Sequence, residues 1–550
     1  MKCNPNNIWP VTKKLLLVVL LSISVLTASA TDLKIIIQKQ YLNIPVGRQA
    51  RMKLIKINVG GKSLREFPVQ LAEGTTDYWI YIDVTEFKGK AVTLSCPAKI
   101  KDIKRIYQDD KINGSDSLYK ESYRPQFHFT VKRGWSNDIN GLIYINGTYH
   151  MYWQAFPFGL SWNTGYMYWG HATSKDMLHW TEHAPALMLD SLGSPWSGSS
   201  VIDKNNDGGF GKNALVIYYT AYDLTSFKQV QCIAYSIDGG KTYHRYKGNP
   251  VLDSNWDVDS KDTRDPKVFY YEPTQTWVMV LFERDGLSIY NSKDMKSWKK
   301  QSHVQGLYEC PDFFELPVDG NISNKKWVLH GGSADYMIGT FDGKTFTPET
   351  PKMRYAEGRS WGGDDMLYAT NSFSNMPDGR RVQIAWGRAQ HQGMPFTQMM
   401  LFPTEFSITT DDGKLKLVAN PIKEIEKLDA NTITWKNISA ETADKKLADI
   451  KSGLLHVKAD LKIEKGRRLM ISYNGEELLN LPAAELNPND NTLEILIDKT
   501  SSEIFVNHGR RYIVKNLKPS TNNTGLSFGD KDGLNIKLLT VSEVRSVWNN

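Results

Sequence analysis

The stretch Asn291-Ser292-Lys293-Asp294-Met295-Lys296-Ser297-Trp298 places an aspartate-containing turn after an apolar segment and an aromatic residue at the start of the next one. Three further segments share this arrangement: Thr173–Asp176 before Trp180, Tyr235–Gly240 before Tyr243, and Thr340–Gly343 before Phe346. Successive aspartates of the repeat are 62, 56 and 48 residues apart. Repeats of this length, each made of several short strands, are typical of propeller blades. The spacing predicts five blades, with unrelated hairpins that share turn chemistry as the alternative.

The segments on either side of this repeat also favour strands. Residues 31–120 contain short apolar runs separated by turns, and their last twenty residues are polar and linker-like. Beyond residue 415, Leu493–Asp498 and Glu503–Asn507 alternate apolar and polar residues around a short turn, a hairpin pattern typical of a β-sandwich. We therefore predict an all-β protein: a small N-terminal β domain with a linker (31–120), a five-bladed β-propeller (121–415) and a C-terminal β-sandwich (416–550).

Composition excludes several classes of protein. The chain has 550 residues with 41% hydrophobic and 23% charged residues, values close to those of soluble globular proteins. Its formal net charge of +7 is too mild and too scattered to indicate a nucleic-acid or membrane-surface partner. Aromatic residues make up 11% of the chain, including 16 Trp, which suits strand-rich structure and also the stacking of sugars on indole rings.

The first thirty residues have the pattern of a secretory signal peptide. Lys13 and Lys14 precede an apolar run, Leu15–Leu26, and the segment ends Ala28-Ser29-Ala30. A basic start, a short apolar core and an Ala-x-Ala end predict cleavage after Ala30. We expect a secreted or periplasmic protein without a membrane anchor. The three cysteines that remain are too few and too widely spaced to indicate a disulfide framework or a zinc site.

Acidic residues stand at the predicted starts of several blades. They are Asp138, Asp265, Glu309 and the pair Asp364 and Asp365. The first strand of each blade lies around the propeller axis, so acids at these positions can converge on one funnel. Two carboxylates suffice for glycoside hydrolysis, one as nucleophile and one as proton donor. For any single acid, capping a turn or facing solvent is the alternative.

The neighbours of two acids suggest different roles. Arg264 precedes Asp265, and an adjacent cation favours the charged form of a carboxyl group. This predicts that Asp265 stays ionised and binds sugar hydroxyls rather than donating a proton. Glu309 has the less polar neighbours Tyr308 and Cys310, which suit a proton donor.

From about Pro125 to the C terminus, the chain resembles glycoside hydrolase family 32, the invertases, inulinases, levanases and related β-fructosidases. Trp135–Gly141 is similar to the WMNDPNG signature of this family, although Ile139 stands where the signature has Pro. Trp196–Ser199 is similar to its FSGS segment, with Trp196 in place of Phe. Arg264-Asp265-Pro266 matches its RDP motif and Glu309-Cys310 its EC motif. These departures leave the three acids in place.

The resemblance implies a retaining double displacement at a fructofuranosyl unit. It makes Asp138 the nucleophile, Glu309 the acid and base, and Asp265 the stabiliser of the transition state. It also implies a set of substrate-binding residues: Asn137, Gln154, Trp162, Trp196, Ser197, Arg264, Asp365 and Trp386. The implied substrates are fructans or fructo-oligosaccharides such as levan and inulin, together with sucrose. The reaction it implies needs no cofactor or metal.

Exo-acting release of terminal fructose is the first hypothesis for function. An endo-acting levanase is the nearest alternative. Ser236–Tyr243 is similar to a sialidase Asp-box, which raises a sialidase-like propeller as a second alternative, although sialidases have six blades. A glycan-binding propeller without activity is the third, but such a protein has no need of Asp138 together with Glu309.

Overall fold

A computed structural model describes residues 31–253, 261–357, 366–487, 491–518 and 524–548. The predicted signal peptide, residues 1–30, lies outside the described residues, as do Asp364 and Asp365. The described chain is mostly strand, and it confirms the predicted all-β fold of a propeller followed by a sandwich, with an additional N-terminal β region. Among the described residues, no helix is both long enough and apolar enough to cross a membrane.

The N-terminal region consists of two small sheets. Its strands are β1 (Thr31–Ile36), β2 (Tyr41–Val46), β3 (Lys53–Val59), β4 (Lys62–Val69), β5 (Tyr78–Asp83), β6 (Ala91–Cys96) and β7 (Tyr107–Asp109), with helix α1 (Ile100–Ile103) between the last two. One sheet has the order β1-β6-β3-β4 and the other β5-β2-β7. The predicted linker therefore contributes one strand, β7, which pairs with β2 and extends the second sheet.

The first three propeller blades are separate antiparallel sheets in which each strand pairs with the next. Blade 1 comprises β8 (Gly134–Ile145), β9 (Thr148–Phe156), β10 (Tyr168–Ser174) and β11 (Trp180–Glu182). Blade 2 comprises β12 (Ser194–Asp203), β13 (Ala214–Tyr222), β14 (Gln229–Ser236) and β15 (His244–Arg245). Blade 3 comprises β16 (Thr263–Tyr271), β17 (Thr276–Glu283), β18 (Gly286–Ser292) and β19 (Lys299–Gln305).

Blades 4 and 5 are joined at their edges into one ten-stranded sheet. Blade 4 comprises β20 (Asp312–Val318), β21 (Asn321–His330), β22 (Asp335–Phe341) and β23 (Phe346–Pro348), followed by the short strands β24 (Met353–Arg354) and β25 (Ala356–Glu357). Blade 5 comprises β26 (Leu367–Ser372), β27 (Arg381–Gly387), β29 (Met399–Met400), β30 (Thr404–Asp411) and β31 (Lys414–Pro421). Strand β28 (Phe396–Thr397) lies between β27 and β29 in the chain. It pairs in parallel with the start of β8 and so connects the last blade to the first.

The repeated aspartates close the turn between the third and fourth strands of blades 1 to 4. Oδ1 of Asp294 accepts hydrogen bonds from the backbone N–H groups of Lys296 and Ser297 at 2.9 and 2.7 Å. The indole of Trp298 donates to the carbonyl of Met295 at 3.2 Å in the same turn. Three other aspartates accept equivalent backbone bonds: Asp176, Asp238 and Asp342. The segment similar to a sialidase Asp-box is therefore one of four turns that close blades.

The C-terminal sandwich packs a seven-stranded sheet against a three-stranded one. Its strands are β32 (Asp429–Ser439), β33 (Leu455–Ile463), β34 (Arg468–Tyr473), β35 (Glu476–Pro482), β36 (Asn491–Asp498), β37 (Ser501–Val506), β38 (Arg511–Asn516), β39 (Leu526–Phe528) and β40 (Leu534–Val544), with helix α2 (Ala440–Leu447) after the first. The larger sheet has the order β25-β38-β37-β36-β33-β40-β32, so β25 extends from the propeller into the sandwich. Side chains of both sheets share one apolar core.

The N-terminal region packs directly on the propeller. The ring of Phe67 stacks on that of Phe158 in blade 1 with centroids 4.4 Å apart. The guanidinium of Arg48 donates a 2.9 Å hydrogen bond to the carbonyl of Met394, close to the strand β28. A continuous apolar core includes residues of both regions. These contacts place the N-terminal region beside blade 1, whose first strand, β8, contains Asp138.

Candidate active site

Irregularities in the innermost strands place polar side chains at the propeller axis. The pairing register shifts in β8, β12 and β16, and the residues within these shifts include Asn137, Asp138, Ser197 and Asp265. A β-bulge bends its strand and re-aims the side chain of the extra residue. The same device in three blades brings residues that are far apart in sequence to one pocket.

The backbone is strained at two of the three acids. Asp265 has a φ of 62° and Glu309 a φ of 46°, and Cys310 beside it has a φ of 39°. Residues other than glycine rarely occupy this left-handed region, and they persist there only where surrounding contacts hold them. Such outliers concentrate at functional sites, and here they lie at the acids of the RDP-like and EC-like motifs.

A pocket of about 640 Å³ opens at this end of the axis. Its lining contains all three predicted acids, Asp138, Asp265 and Glu309. It also contains seven of the eight predicted substrate-binding residues: Asn137, Gln154, Trp162, Trp196, Ser197, Arg264 and Trp386. The eighth, Asp365, lies outside the described residues.

Asp138 is held by hydrogen bonds to both carboxylate oxygens. The hydroxyl of Ser197 donates to Oδ2 at 2.8 Å, and the amide of Asn137 donates to Oδ1 at 3.0 Å. The indole of Trp135 in turn donates to Oδ1 of Asn137 at 2.8 Å, which orients that amide. Burial raises the pKa of Asp138; the bond from Ser197 opposes this shift, and the nearby charge of Glu309 adds to it.

Both carboxylate oxygens of Glu309 accept hydrogen bonds. Nη2 of Arg264 lies 2.6 Å from Oε1 of Glu309, and Nε of Arg264 lies 3.2 Å from the same atom. The hydroxyl of Tyr368 donates to Oε2 at 2.5 Å. Arg264 also pairs with Asp262 at the pocket edge. These bonds leave the carboxyl group of Glu309 with a fixed orientation in the pocket wall.

Asp265 lies deeper, beside Cys310. Its Oδ2 accepts the backbone N–H of Cys310 at 3.0 Å, and the Cys310 thiol is 3.7 Å from Oδ2 of both Asp265 and Asp138. The prediction that Arg264 keeps the carboxyl of Asp265 at a low pKa is wrong. Burial raises the pKa of Asp265, Arg264 opposes the shift, and Glu309 and Asp138 add to it. The physical reason is that the cost of burying the charged carboxylate exceeds the stabilisation that Arg264 provides, whose Nε is 4.0 Å from Oδ2 of Asp265.

Cys310 itself is a packed neighbour of the acids. Its side chain is buried, and burial together with the charges of Asp265 and Asp138 raises the pKa of its thiol well above the ordinary value. A thiol that stays protonated is a poor nucleophile. Cys310 therefore fills space between the carboxylates and donates a weak hydrogen bond.

The predicted aromatic residues occupy different depths. Trp386 is buried, and its indole donates to Gln398 at 2.9 Å. Trp162 is 50% exposed at the pocket mouth. Trp196 stacks on Tyr222 with centroids 4.1 Å apart. The mouth is therefore aromatic on one side.

The amide of Gln154 donates to the carbonyl of Pro195 at 3.1 Å. This bond fixes the side chain against the backbone of blade 2 and leaves the carbonyl oxygen of the amide as an acceptor on the pocket side. Gln154 thus both satisfies a backbone group and lines the pocket.

Sequence reasoning missed several residues of the pocket. Tyr368, which bonds to Glu309, follows no motif, and only its place in the first strand of blade 5 could have marked it. Tyr222, Phe227 and Gln229 come from the connection between β13 and β14 and from its ends. Trp135 lies within the signature-like segment Trp135–Gly141, so its position in that motif was an available signal.

Comparisons with known proteins agree with this geometry. Residues 128–421 match the model of the glycosyl hydrolases family 32 N-terminal domain. The chain is 35% identical to a levanase from Bacillus subtilis over 497 residues, which is 78% of this chain and 72% of that protein. It is 36% identical to an extracellular exo-inulinase from Aspergillus niger over 355 residues, which is 55% of this chain and 65% of that protein.

Among solved structures, the exo-inulinase from Aspergillus awamori superposes with a TM-score of 0.68 and 26% identity, covering 78% of this chain and all of that one. A fructofuranosidase from Schwanniomyces occidentalis has the same fold, with a TM-score of 0.65 at 24% identity. The family match covers the propeller, including the three acids and the pocket they line. The chain therefore belongs to glycoside hydrolase family 32 and is a glycoside hydrolase.

Proposed function

We propose that this protein is a secreted β-fructosidase that releases terminal fructose from β-fructans such as levan and inulin, and from sucrose. The observation that carries the proposal is the convergence of Asp138, Glu309 and Asp265 in one pocket of a family 32 propeller. Similarity to proteins named levanase and exo-inulinase supports fructans as the substrate class.

In this proposal Asp138 attacks C2 of the terminal fructosyl unit. Its carboxylate is oriented by Ser197 and Asn137. As the new ester bond forms, the bond from C2 to the leaving oxygen breaks, and Glu309 gives its proton to that oxygen. Burial favours this step, because a partly desolvated carboxylate is a stronger nucleophile than a hydrated one.

In the second step Glu309 acts as base. It takes a proton from water, whose oxygen attacks C2 and releases Asp138 as a carboxylate. Arg264 and Tyr368 hold the carboxyl group of Glu309 in place during both steps. Two displacements at C2 retain the configuration of the sugar. Asp265 would bind fructose hydroxyls and stabilise the positive charge that develops on the ring.

The proposed enzyme is exo-acting. A pocket that holds one terminal sugar favours release of single fructose units, and aromatic side chains at its mouth, such as Trp162, would contact the next unit. Secretion is supported by the signal-like pattern of residues 1–30 and by similarity to an extracellular exo-inulinase.

Time-resolved product analysis tests the proposal. The purified protein is incubated with levan, inulin and sucrose, and products are separated by chromatography from the first percent of conversion onward. We expect free fructose as the main product at every time point, with the newly released anomer of the β configuration. Oligosaccharides at the earliest time points would overturn exo action. Absence of fructose from all three substrates, with the Asp138→Asn variant as a blank, would overturn the function itself.

A further inference from the structure

A second cavity, of about 430 Å³, lies between the N-terminal region and blade 1. The N-terminal region contributes Tyr41, Arg65 and Tyr81 to its wall, and blade 1 contributes Tyr168 and Glu182. This volume is within the range of small-molecule sites in proteins. The cavity does not belong to the active pocket, although Trp135 lines both.

Three polar groups in this wall have hydrogen-bonding capacity that the described protein does not use. The hydroxyls of Tyr81 and Tyr168 make no hydrogen bond to any described residue, although Tyr168 is only 8% exposed. Glu182 accepts the backbone N–H of Lys132 through Oε2 at 2.8 Å, and its other oxygen has no donor among the described residues. These groups therefore present donors and acceptors to the cavity, where a ligand can bond to them.

Tyr81, Tyr168 and Glu182 line the same cavity. Burial raises the pKa of Glu182, and burial together with the charge of Glu182 raises the pKa of Tyr81. The charge of Glu182 in blade 1 therefore acts on the hydroxyl of Tyr81 in the N-terminal region. Neither region alone contains this set of groups.

The charges around the cavity favour a neutral ligand. Arg65 is paired with Glu86, and Arg133 is paired with Glu121 at 3.1 Å. Glu121 is shared between Arg133 and Arg124, and Lys132 adds a further cation to the wall. Asp83, Glu86 and Glu182 line the same cavity, so the wall carries charges of both signs and has no large excess of either. A neutral molecule with several hydroxyl groups fits what remains: hydroxyls can donate to Glu182 and accept from the two tyrosines.

Another part of the wall is aromatic and apolar. Trp135, Trp153 and Phe158 line it together with the rings of the tyrosines. Flat aromatic groups beside a few hydrogen-bonding groups match the C–H faces and hydroxyl edges of a sugar.

We propose that this cavity is a second saccharide-binding site, which takes a neutral oligosaccharide of the kind hydrolysed in the adjacent pocket. The identity of that oligosaccharide as a fructan segment rests on the proposed function. Trp135, which lines both pockets, orients Asn137 and through it Asp138. The N-terminal region is therefore a substrate-holding part of the enzyme.

The test counts sites by calorimetric titration of the full-length Asp138→Asn/Glu309→Gln protein with fructo-oligosaccharides of three to five units. We expect two sites per chain. Ala184→Trp adds bulk at an exposed position of the cavity wall without removing any bond, and it should abolish one site while changing affinity at the other less than about twofold. Tyr81→Phe and Glu182→Gln should each weaken the same site about tenfold, as expected for loss of one buried hydrogen bond.

Tyr107→Phe is the matched control, because this tyrosine lies in the same region but bonds Asn113 outside the cavity. It should leave both sites unchanged. One site in the parent protein, or two sites in a folded Ala184→Trp protein, overturns the proposal. Trp162→Ala should weaken only the site in the active pocket. If the wild type releases no fructose and Trp162→Ala changes the affinity of neither site, the proposed function fails. The effect of Ala184→Trp on the number of sites still shows whether the cavity binds a saccharide.

Discussion

The hydroxyl of Tyr368, in the first strand of blade 5, donates a 2.5 Å hydrogen bond to Oε2 of Glu309, which immediately precedes blade 4. The partners are 59 residues apart in sequence. Together with Arg264 on the other carboxylate oxygen, Tyr368 fixes the plane of the carboxyl group that we propose as acid and base. Orientation of such a group matters because proton transfer requires a near-linear approach to the sugar oxygen.

Tyr368→Phe should therefore lower kcat/KM on fructans by about 10- to 100-fold, the range expected for one hydrogen bond to a charged group. Steady-state kinetics on inulin and sucrose measure this effect. Tyr271→Phe is a suitable control, since its hydroxyl bonds a backbone carbonyl on the outer part of the propeller. Equal activity of the two variants would exclude a positioning role for Tyr368.

Asp138→Asn should reduce turnover at least about a thousandfold while leaving the fold intact, as should Glu309→Gln. For Asp138→Asn we also expect a Tm no lower than that of the wild type. Burial and the charge of Glu309 raise the pKa of Asp138, which means that its charged form destabilises the fold. Kinetics and thermal unfolding of the same sample check both statements; near-normal turnover in folded Asp138→Asn protein would rule out its role as nucleophile.

Ser197→Ala should move the acid limb of the pH–rate profile to higher pH. The Ser197 hydroxyl stabilises the carboxylate of Asp138, so its removal raises the pKa of Asp138 further, and the protonated group is inactive as a nucleophile. The profile of kcat/KM against pH measures the shift. Ser302→Ala, on an exposed outer strand, serves as control. An unchanged acid limb in Ser197→Ala would contradict the assignment of that limb to Asp138.

His128 joins the propeller to the sandwich. Its ring nitrogens lie 2.8 Å from Asp498 and 2.7 Å from Glu503, and all three side chains are fully buried. Although burial opposes the charge, the bonds to both acids raise the pKa of His128 from 6.5 to about 9. Since the folded protein holds this proton more tightly than the unfolded chain, the resulting stability is complete below pH 6.5 and is lost as the pH rises through about 9.

His128→Gln should therefore lower the free energy of unfolding by about 3–5 kcal/mol at neutral pH, because it leaves two buried carboxylates without a cation. The variant should also lose the part of the decline in stability between pH 7 and 9 that depends on His128. Denaturant unfolding at a series of pH values measures both effects, with the exposed His244→Gln as control. Parallel pH profiles for His128→Gln and the wild type would show that His128 is neutral in the folded protein.

Much of the site could be predicted from sequence because its residues lie in short motifs. Asp138, Asp265 and Glu309 each stand within a few residues of family-like neighbours, and their spacing along the chain follows the blades. Tyr368 stands in no such motif, and the cavity beside Tyr81 and Glu182 joins regions about a hundred residues apart. Contacts of that kind depend on how domains pack, which no local pattern encodes.

The sequence by itself determined the architecture and the acids. Asp294 and its counterparts bond backbone groups two to four residues away, so the turns before the outer strands of blades 1 to 4 form from local chemistry alone. Only the tertiary structure decided how the acids behave. Asp265 has a cation next to it in sequence, yet burial and the neighbouring acids Glu309 and Asp138 outweigh Arg264 and raise the pKa of Asp265. Charge interactions depend on distance and on access to water, and both are set by packing rather than by adjacency along the chain.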